Sequence, residues 1–419
     1  MYGLMKQFVT CLVLLAAVLC TSGQALAYDC TIAGICYNLD KSANTAAVAS
    51  YIESTSEGKD AITIPEAISY EGANYTVTSI EQKAFRSCEW LTSVEIPSTV
   101  TSIGSMTFYD CTNLVSVTLP ESLTEIRSAT FYNCTNLASV TIPDKVTYVG
   151  SSAFYNCSRL ASIAIPGSVE TIYSGAFAEC TGLTSVTIPG SVTSIGVGAF
   201  SRITGLATIS VDKDNKIYDS RNDCNAIIET ATNKLISGCK NTIIPDNVTA
   251  IGDEAFRGSA GLTSIEIPGT VRTIGDYAFS LCDGLTSVAI PGSVITIGVY
   301  AFRGCTAVRE LICLATIPPT CDNRALYDIN KSICKLLVAK ESIERYKAAY
   351  QWEDFVNIAE YEGVDDIMVD ADDADTLYEV YNLQGAKVGT GLRCAEVRDA
   401  LPRGVYILVS PYGTRKVKI

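Results

Sequence analysis

Histidine does not occur in this chain of 419 residues. Its absence removes every catalytic pair in which an imidazole activates a serine or cysteine, and every His-ligated zinc or haem site. Charge is sparse too, at 18% of residues. Acidic residues outnumber basic ones 45 to 31, a formal net charge of −14. No Lys/Arg cluster stands against that balance, so neither nucleic acid nor an anionic membrane is an expected partner. The 17 cysteines include no C-x-x-C pair. A thiolate metal site or dithiol redox motif therefore has no sequence basis, and no metal or cofactor is expected. After the first 27 residues no apolar run is long enough to span a bilayer.

Those first residues have the parts of an export signal. Lys6 supplies the positive end, Phe8 to Leu19 form the apolar stretch, and Ala25-Leu26-Ala27 is a small-residue cleavage site. Residues 1–27 are read as a signal peptide, with the mature chain starting at Tyr28. Cys20 invites lipid attachment, but Leu19 stands where that reaction wants a small residue.

What the chain has is a repeated unit. Leu91-Thr92-Ser93-Val94-Glu95-Ile96-Pro97, a turn, Ile103-Gly104, then Phe108 and Cys111 recur with little change. The phenylalanine returns every 23 residues at Phe85, Phe108, Phe131, Phe154, Phe177 and Phe200, and again at Phe256, Phe279 and Phe302. A fixed period in the twenties marks a solenoid, in which each unit stacks only on its neighbours. The fold expected is a repeat solenoid of stacked ~23-residue coils joined by one long parallel β-sheet, with a small β-sandwich at the C-terminus. Val94 and Ile96 point inward in such a coil, Ser93 and Glu95 outward, and Pro97 closes the strand because it lacks an amide hydrogen. Ile103-Gly104 is read as a turn, and the phenylalanine as a plug on the far side.

Two outward columns result. One carries Ser93, Ser116, Ser139, Ser162 and Ser185, and its neighbour Glu95, Thr118, Thr141 and Thr187. They are candidates for a flat platform holding an extended protein or glycan, although small residues also simply let coils stack. A third column, Tyr109, Tyr132 and Tyr155, follows the plug phenylalanines. Stacked tyrosines serve equally as contact residues and as fillers between coils. Tyr277 and Tyr300 lie two residues before their phenylalanines.

Seven cysteines share one repeat position: Cys88, Cys111, Cys134, Cys157, Cys180, Cys282 and Cys305. They are read as a buried structural ladder, since Ile203 and Ser259 occupy the same position in two units and would break a metal-thiolate wire. Outside the ladder, Cys224 and Cys239 flank an inserted segment and are the best candidate disulfide pair. Cys30 with Cys36, and Cys313, Cys321 and Cys334 among themselves, are weaker candidates.

The remaining organisation follows from where the period fails. Residues 28–60 read as an N-terminal cap, 61–361 as the solenoid with an insertion near 211–240, and 314–361 as its C-terminal cap. Leu311 to Leu314 are read as the last strand, with a short amphipathic helix from Ser342 to Tyr350. Asp212-Lys213-Asp214-Asn215 looks like the start of a calcium loop, but Lys216 stands where a ligand belongs and no glycine follows, so an ordinary Asp/Asn turn is expected. Residues 362–376 form an acidic linker by composition, and 377–419 alternate like strands of a β-sandwich.

The motifs Leu-x-x-Val-x-Ile-Pro, Ser/Thr-Val-x-x-Ile-Gly and Ala-Phe-x-x-Cys, from about Ile62 to Tyr361, resemble the BspA-like branch of leucine-rich repeat proteins. Asp219 to Thr230 and Cys313 to Phe355 resemble modules of the same family. Val380-Tyr381-Asn382-Leu383-Gln384-Gly385 and Leu401-Pro402-Arg403-Gly404-Val405-Tyr406-Ile407 resemble a C-terminal sorting domain of type IX secretion. The resemblance implies a non-enzymatic secreted or outer-surface protein that adheres to host matrix or to other cells, with secretion machinery as a further partner. Glycan capture and a structural spacer role are the alternatives, and oligomeric state is left open. N-terminal sequencing of the exported protein should begin at Tyr28, and a lipid-modified start at Cys20 would overturn the signal reading.

Overall fold

The computed structural model describes residues 28–51 and 61–361, together with most of the residues of 377–418. The signal segment and the acidic linker 362–376 lie outside the described residues. Each coil has three sides: two carry short extended stretches, and the third, around the plug phenylalanine, is a run of turns.

On the first side, Ala61–Thr63, Ser93–Glu95, Ser116–Thr118 and Ser139–Val140 pair in parallel, with Ser93 level with Ser116 and Ser139. The column resumes with Ser185–Ile188 and Thr208–Val211, and again from Ser287–Ile290. Between residues 140 and 185 no strand forms on this side. The expected parallel sheet thus exists in register, but in three stretches.

The second side was read as a turn and is a strand column of its own. Glu125–Ile126, Tyr148–Val149, Thr171–Ile172 and Ser194–Ile195 pair in parallel, as do Ala250–Ile251, Thr273–Ile274, Thr296–Ile297 and Thr320–Cys321. The glycine that follows is required by close approach. A Cβ at Gly104 would lie 2.3 Å from the Gln82 nitrogen of the preceding coil, and one at Gly196 equally close to that of Ser174. Only glycine lets the backbones come that near.

The third side carries the plug. Phe85, Phe108, Phe131, Phe154, Phe177 and Phe200 stack with ring centroids 5.2 to 5.6 Å apart, and Phe256, Phe279 and Phe302 do the same at 5.1 to 5.2 Å. Their amides bond the next coil, as from Phe108 N to Thr130 O at 2.8 Å. Leu91, Val94, Ile96, Val100 and Ile103 complete the buried interior of a coil. Removing one ring, as in Phe131→Ala, opens a cavity of the kind that costs about 3–5 kcal/mol.

The cysteine ladder lies beside this stack. Cys111, Cys134, Cys157, Cys180, Cys282 and Cys305 are buried, and each thiol donates to the carbonyl of the plug phenylalanine one coil back, at 3.0 to 3.2 Å. Cys88, in the first unit, is half-buried. Burial pushes Cys180 and Cys305 up to about 12 and holds Cys134, Cys157 and Cys282 well above the ordinary thiol value. Such groups stay protonated and unreactive. Cys224 and Cys239 are both free as well, so the expected bridge is not formed. Their sulfurs face different carbonyls, Ala226 O at 3.8 Å and Asn225 O at 3.5 Å. Cys30, Cys36, Cys313, Cys321 and Cys334 are likewise free.

The insertion adds strands to the second side of the stack. Tyr218–Asp219, Ala226–Glu229 and Lys234–Gly238 run antiparallel, and the last pairs in parallel with Ala250–Ile251. On the plug side Gly238 N, at the end of the last inserted strand, donates to Ala255 O at 2.8 Å, the bond a plug amide makes elsewhere, and Arg202 N donates to Arg257 O at 2.6 Å. The hydrophobic core divides into two clusters here. Asn215, which is buried, accepts the amides of Ile217 and Tyr218 and donates to Pro189 O and Val192 O, so it serves as an Asx turn.

At the N-terminal end Cys30–Ile32, Ile35–Asp40 and Thr45–Tyr51 form an antiparallel meander whose last strand pairs in parallel with Ala73–Ile80. At the other end the first side continues past Glu310–Cys313 with two more strands, Lys335–Val338 and Asn357–Glu360. Leu311 to Leu314 is therefore not the last strand. The helix there is shorter than expected, Ile343–Lys347. Trp352 is buried and donates to Pro319 O at 2.9 Å, which fixes the closing turn. Leu377–Asn382, Lys387–Arg393, Val405–Ser410 and Gly413–Lys418 form one antiparallel sheet. No helix among the described residues is long and apolar enough to cross a membrane.

Iodoacetamide applied to the folded mature chain at mildly alkaline pH, without reductant, should leave the six buried ladder cysteines unlabelled. After unfolding in urea, still without reductant, it should label them all, Cys224 and Cys239 included. A pair that reacts only after reduction would restore the disulfide reading.

Candidate functional site: the solenoid surfaces

The strand side presents what its alternation dictates. Ser116, Ser139, Ser162 and Ser185 are exposed and Ser93 is half-buried, while Glu95, Thr118, Thr141 and Thr187 are exposed beside them. The hydroxyls are in register, and Thr187 and Ser210 touch at 2.9 Å. Ser162 lies in the stretch without a strand, so the platform is interrupted at its middle. No aromatic ring or guanidinium belongs to either column, and this surface lacks the anchors that usually carry binding energy.

The tyrosine column is more distinctive. Tyr109, Tyr132 and Tyr155 stack with centroids 4.5 and 4.7 Å apart and planes within 6°. The Arg86 guanidinium lies over Tyr109, 5.1 Å from the ring centroid. At the other end Tyr155 donates to Glu179, which also pairs with Arg202. A column of amides runs alongside, with Asn133 donating to Asp110 at 2.8 Å and Asn156 to Asn133 at 2.7 Å. The stacked rings cover one another's faces, and all three are half-buried. Filler and contact residue are thus the same side chains. Burial, then the bond to Glu179 and the charge of that carboxylate, raise Tyr155 to about 12.

An open cleft of about 260 Å³ lies on the second side among Lys234, Asp253, Thr273, Asp276, Thr296 and Asp322. Asp253 Oδ1 accepts the Asp276 amide at 2.9 Å and Asp276 Oδ1 accepts that of Val299 at 2.7 Å. Those oxygens join coil to coil. Among the described residues no group of three or more potential metal ligands comes together.

Sequence reasoning missed a further cluster. Arg257 lies over Tyr277, Arg303 over Tyr300 and Arg324 over Tyr327, at 5.1, 5.4 and 5.3 Å. The available signal was the pair of positions two before and one after each plug phenylalanine, which flank it on the outer edge.

Three-sided coils of 23 residues, parallel strands and a stacked phenylalanine core define a leucine-rich repeat β-solenoid. The profile of the BspA type leucine rich repeat region matches in 6 copies over residues 76–219 and 228–346, and the chain belongs to that family. A leucine rich cell surface protein from Faecalibacterium prausnitzii A2-165 is similar at 28% identity and a TM-score of 0.60, over 82% of this chain and 96% of that one. The pneumococcal vaccine antigen PcpA is similar at 18% identity and a TM-score of 0.59, over 80% and 98% respectively, a likeness of fold alone. Comparison with curated proteins found no match.

Tyrosine ionisation should destabilise the fold. An unfolded tyrosine loses its proton near 10, whereas folded Tyr155 holds it to about 12, so stability falls as pH rises through that window. Urea midpoints measured across the window should fall, and Tyr155→Phe should flatten the decline. An equally steep decline in the variant would show that Tyr155 does not contribute.

Proposed function

We propose that this chain is an exported, surface-held protein without catalytic activity that adheres to an extracellular protein, on host matrix or on another cell. The observation that carries this reading is the Tyr109–Tyr132–Tyr155 column. It offers tyrosine edges and hydroxyls on a scaffold whose backbone is already ordered, so binding need not order it. Rigid tyrosines with an arginine at one end have the composition of an interface anchor. The hydroxyl columns from Ser93 and Glu95 to Thr187 supply complementary surface. Membership of the BspA type family and the likeness to a protein described as a leucine rich cell surface protein support the location. The C-terminal strands 377–418 serve export in this reading.

A protein ligand is favoured over a glycan by the geometry of the rings. Sugars bind tyrosine through the ring face, and here the faces are turned to one another at 4.5 and 4.7 Å. The mature protein immobilised on a sensor surface should bind one or more purified matrix proteins saturably. Changing Tyr109, Tyr132 and Tyr155 to Ala should weaken that binding by about tenfold or more. Saturable binding to a glycan array with no binding to any matrix protein would replace this reading with nutrient capture.

A further inference from the structure

Two columns flank the plug phenylalanines in the C-terminal half. The positions two residues before the plug read Glu254, Tyr277, Tyr300 and Arg324, and those one residue after it read Arg257, Ser280, Arg303 and Tyr327. The Phe-to-Leu change at Leu326 keeps the register, because Ala325 O still accepts the Phe302 amide at 2.9 Å. Tyr277 and Tyr300 stack 5.4 Å apart, and Tyr327 meets Tyr300 edge-on at 6.1 Å. Arg324 Nη1 donates to the Tyr300 hydroxyl at 3.0 Å while its guanidinium lies over Tyr327.

The arginines differ in what they face. Arg257 is paired with Glu254 at 2.8 Å. Arg303 and Arg324 are exposed, and among the described residues no carboxylate lies within ion-pair distance of either. The nearby Asp276 and Asp328 accept the backbone amides of Val299 and Gly304 instead. In a chain of formal charge −14, two guanidinium groups without an ion-pair partner therefore stand on adjacent coils, beside carboxylates already engaged by backbone amides. Lying over tyrosine rings, they are held in place; Arg324 spends Nη1 on the Tyr300 hydroxyl and keeps its Nε and Nη2 edge, the edge that takes a carboxylate bidentately.

We propose that the edge from Tyr277 to Tyr327 is the docking site for a carboxylate-rich, extended segment of the protein ligand. Arg303 and Arg324 grip its side-chain carboxylates, and Tyr300 and Tyr327 provide apolar contact. This inference rests on the protein-binding reading above and adds to it a location and a chemistry. The rest of the acidic surface repels such a partner, but at physiological salt that repulsion fades within about 8 Å. Contact at this edge therefore decides.

The test uses the full mature protein and poly-L-glutamate as probe, with heparin as a polysulfated glycan for comparison. Poly-L-glutamate should bind saturably and more weakly as salt is raised. Changing both Arg303 and Arg324 to Ala should weaken it by about tenfold or more, changing both to Lys should cost less, and Lys145→Ala should change nothing. Both arginines are exposed, so the double variant should keep the wild-type melting temperature. Failure to bind poly-L-glutamate, unchanged binding by the double Ala variant, or binding of heparin in preference overturns the proposal. Matrix-protein binding that survives the double Ala variant overturns this proposal alone. Loss of all matrix binding in wild type, with poly-L-glutamate still bound, removes the adhesion reading instead.

Discussion

Each coil of this protein is held by the coil above and below it, through like side chains placed on like at little more than one strand spacing. The phenylalanines stack at 5.1 to 5.6 Å, the plug amides bond to the next coil, and each ladder thiol reaches the carbonyl of the coil before. A coil by itself buries too little apolar surface to offset the entropy of fixing its backbone. The stack must therefore keep one register on three sides at once, and that requirement explains most of what is constant in the repeat. Gly104 and its counterparts are glycine because a neighbouring backbone passes where a Cβ would be.

The same constraint leaves the outer positions free. Residues that flank the plug touch their like in adjacent coils and water elsewhere, so they can change without loss of fold. In the N-terminal half this freedom produced tyrosines in register; in the C-terminal half it produced arginines over tyrosines. The left-handed backbone at these sites is carried by ordinary residues, among them Met106, Ala129, Tyr277 and Leu281. Such a conformation costs roughly 1–2 kcal/mol for a residue other than glycine, and stacking offsets it.

The fold was legible because period and burial coincide. Phe85 to Phe200 announce the stack, and Val94 and Ile96 announce a strand with one inward side. The second strand column was missed because Ser102–Ile103 and its counterparts are two residues long, too short for any alternation to show. The two strands beyond Glu310–Cys313 were missed because Pro318 and Pro319 break the motif while the coil continues past them. Of the candidate sites, the tyrosine column was visible from spacing alone. The Arg303 and Arg324 cluster was not, since its members alternate between two repeat positions and meet only when successive coils are superposed.

The insertion carries a mechanical consequence. Between Phe200 and Phe256 the second side gains three antiparallel strands, and on the plug side Gly238, not Phe200, bonds the coil of Phe256. This coil is a seam in the stack. The core clusters on either side of it are separate, so each half is a block with its own continuous column of rings. A side chain lost from the rings of one block leaves the rings of the other in contact.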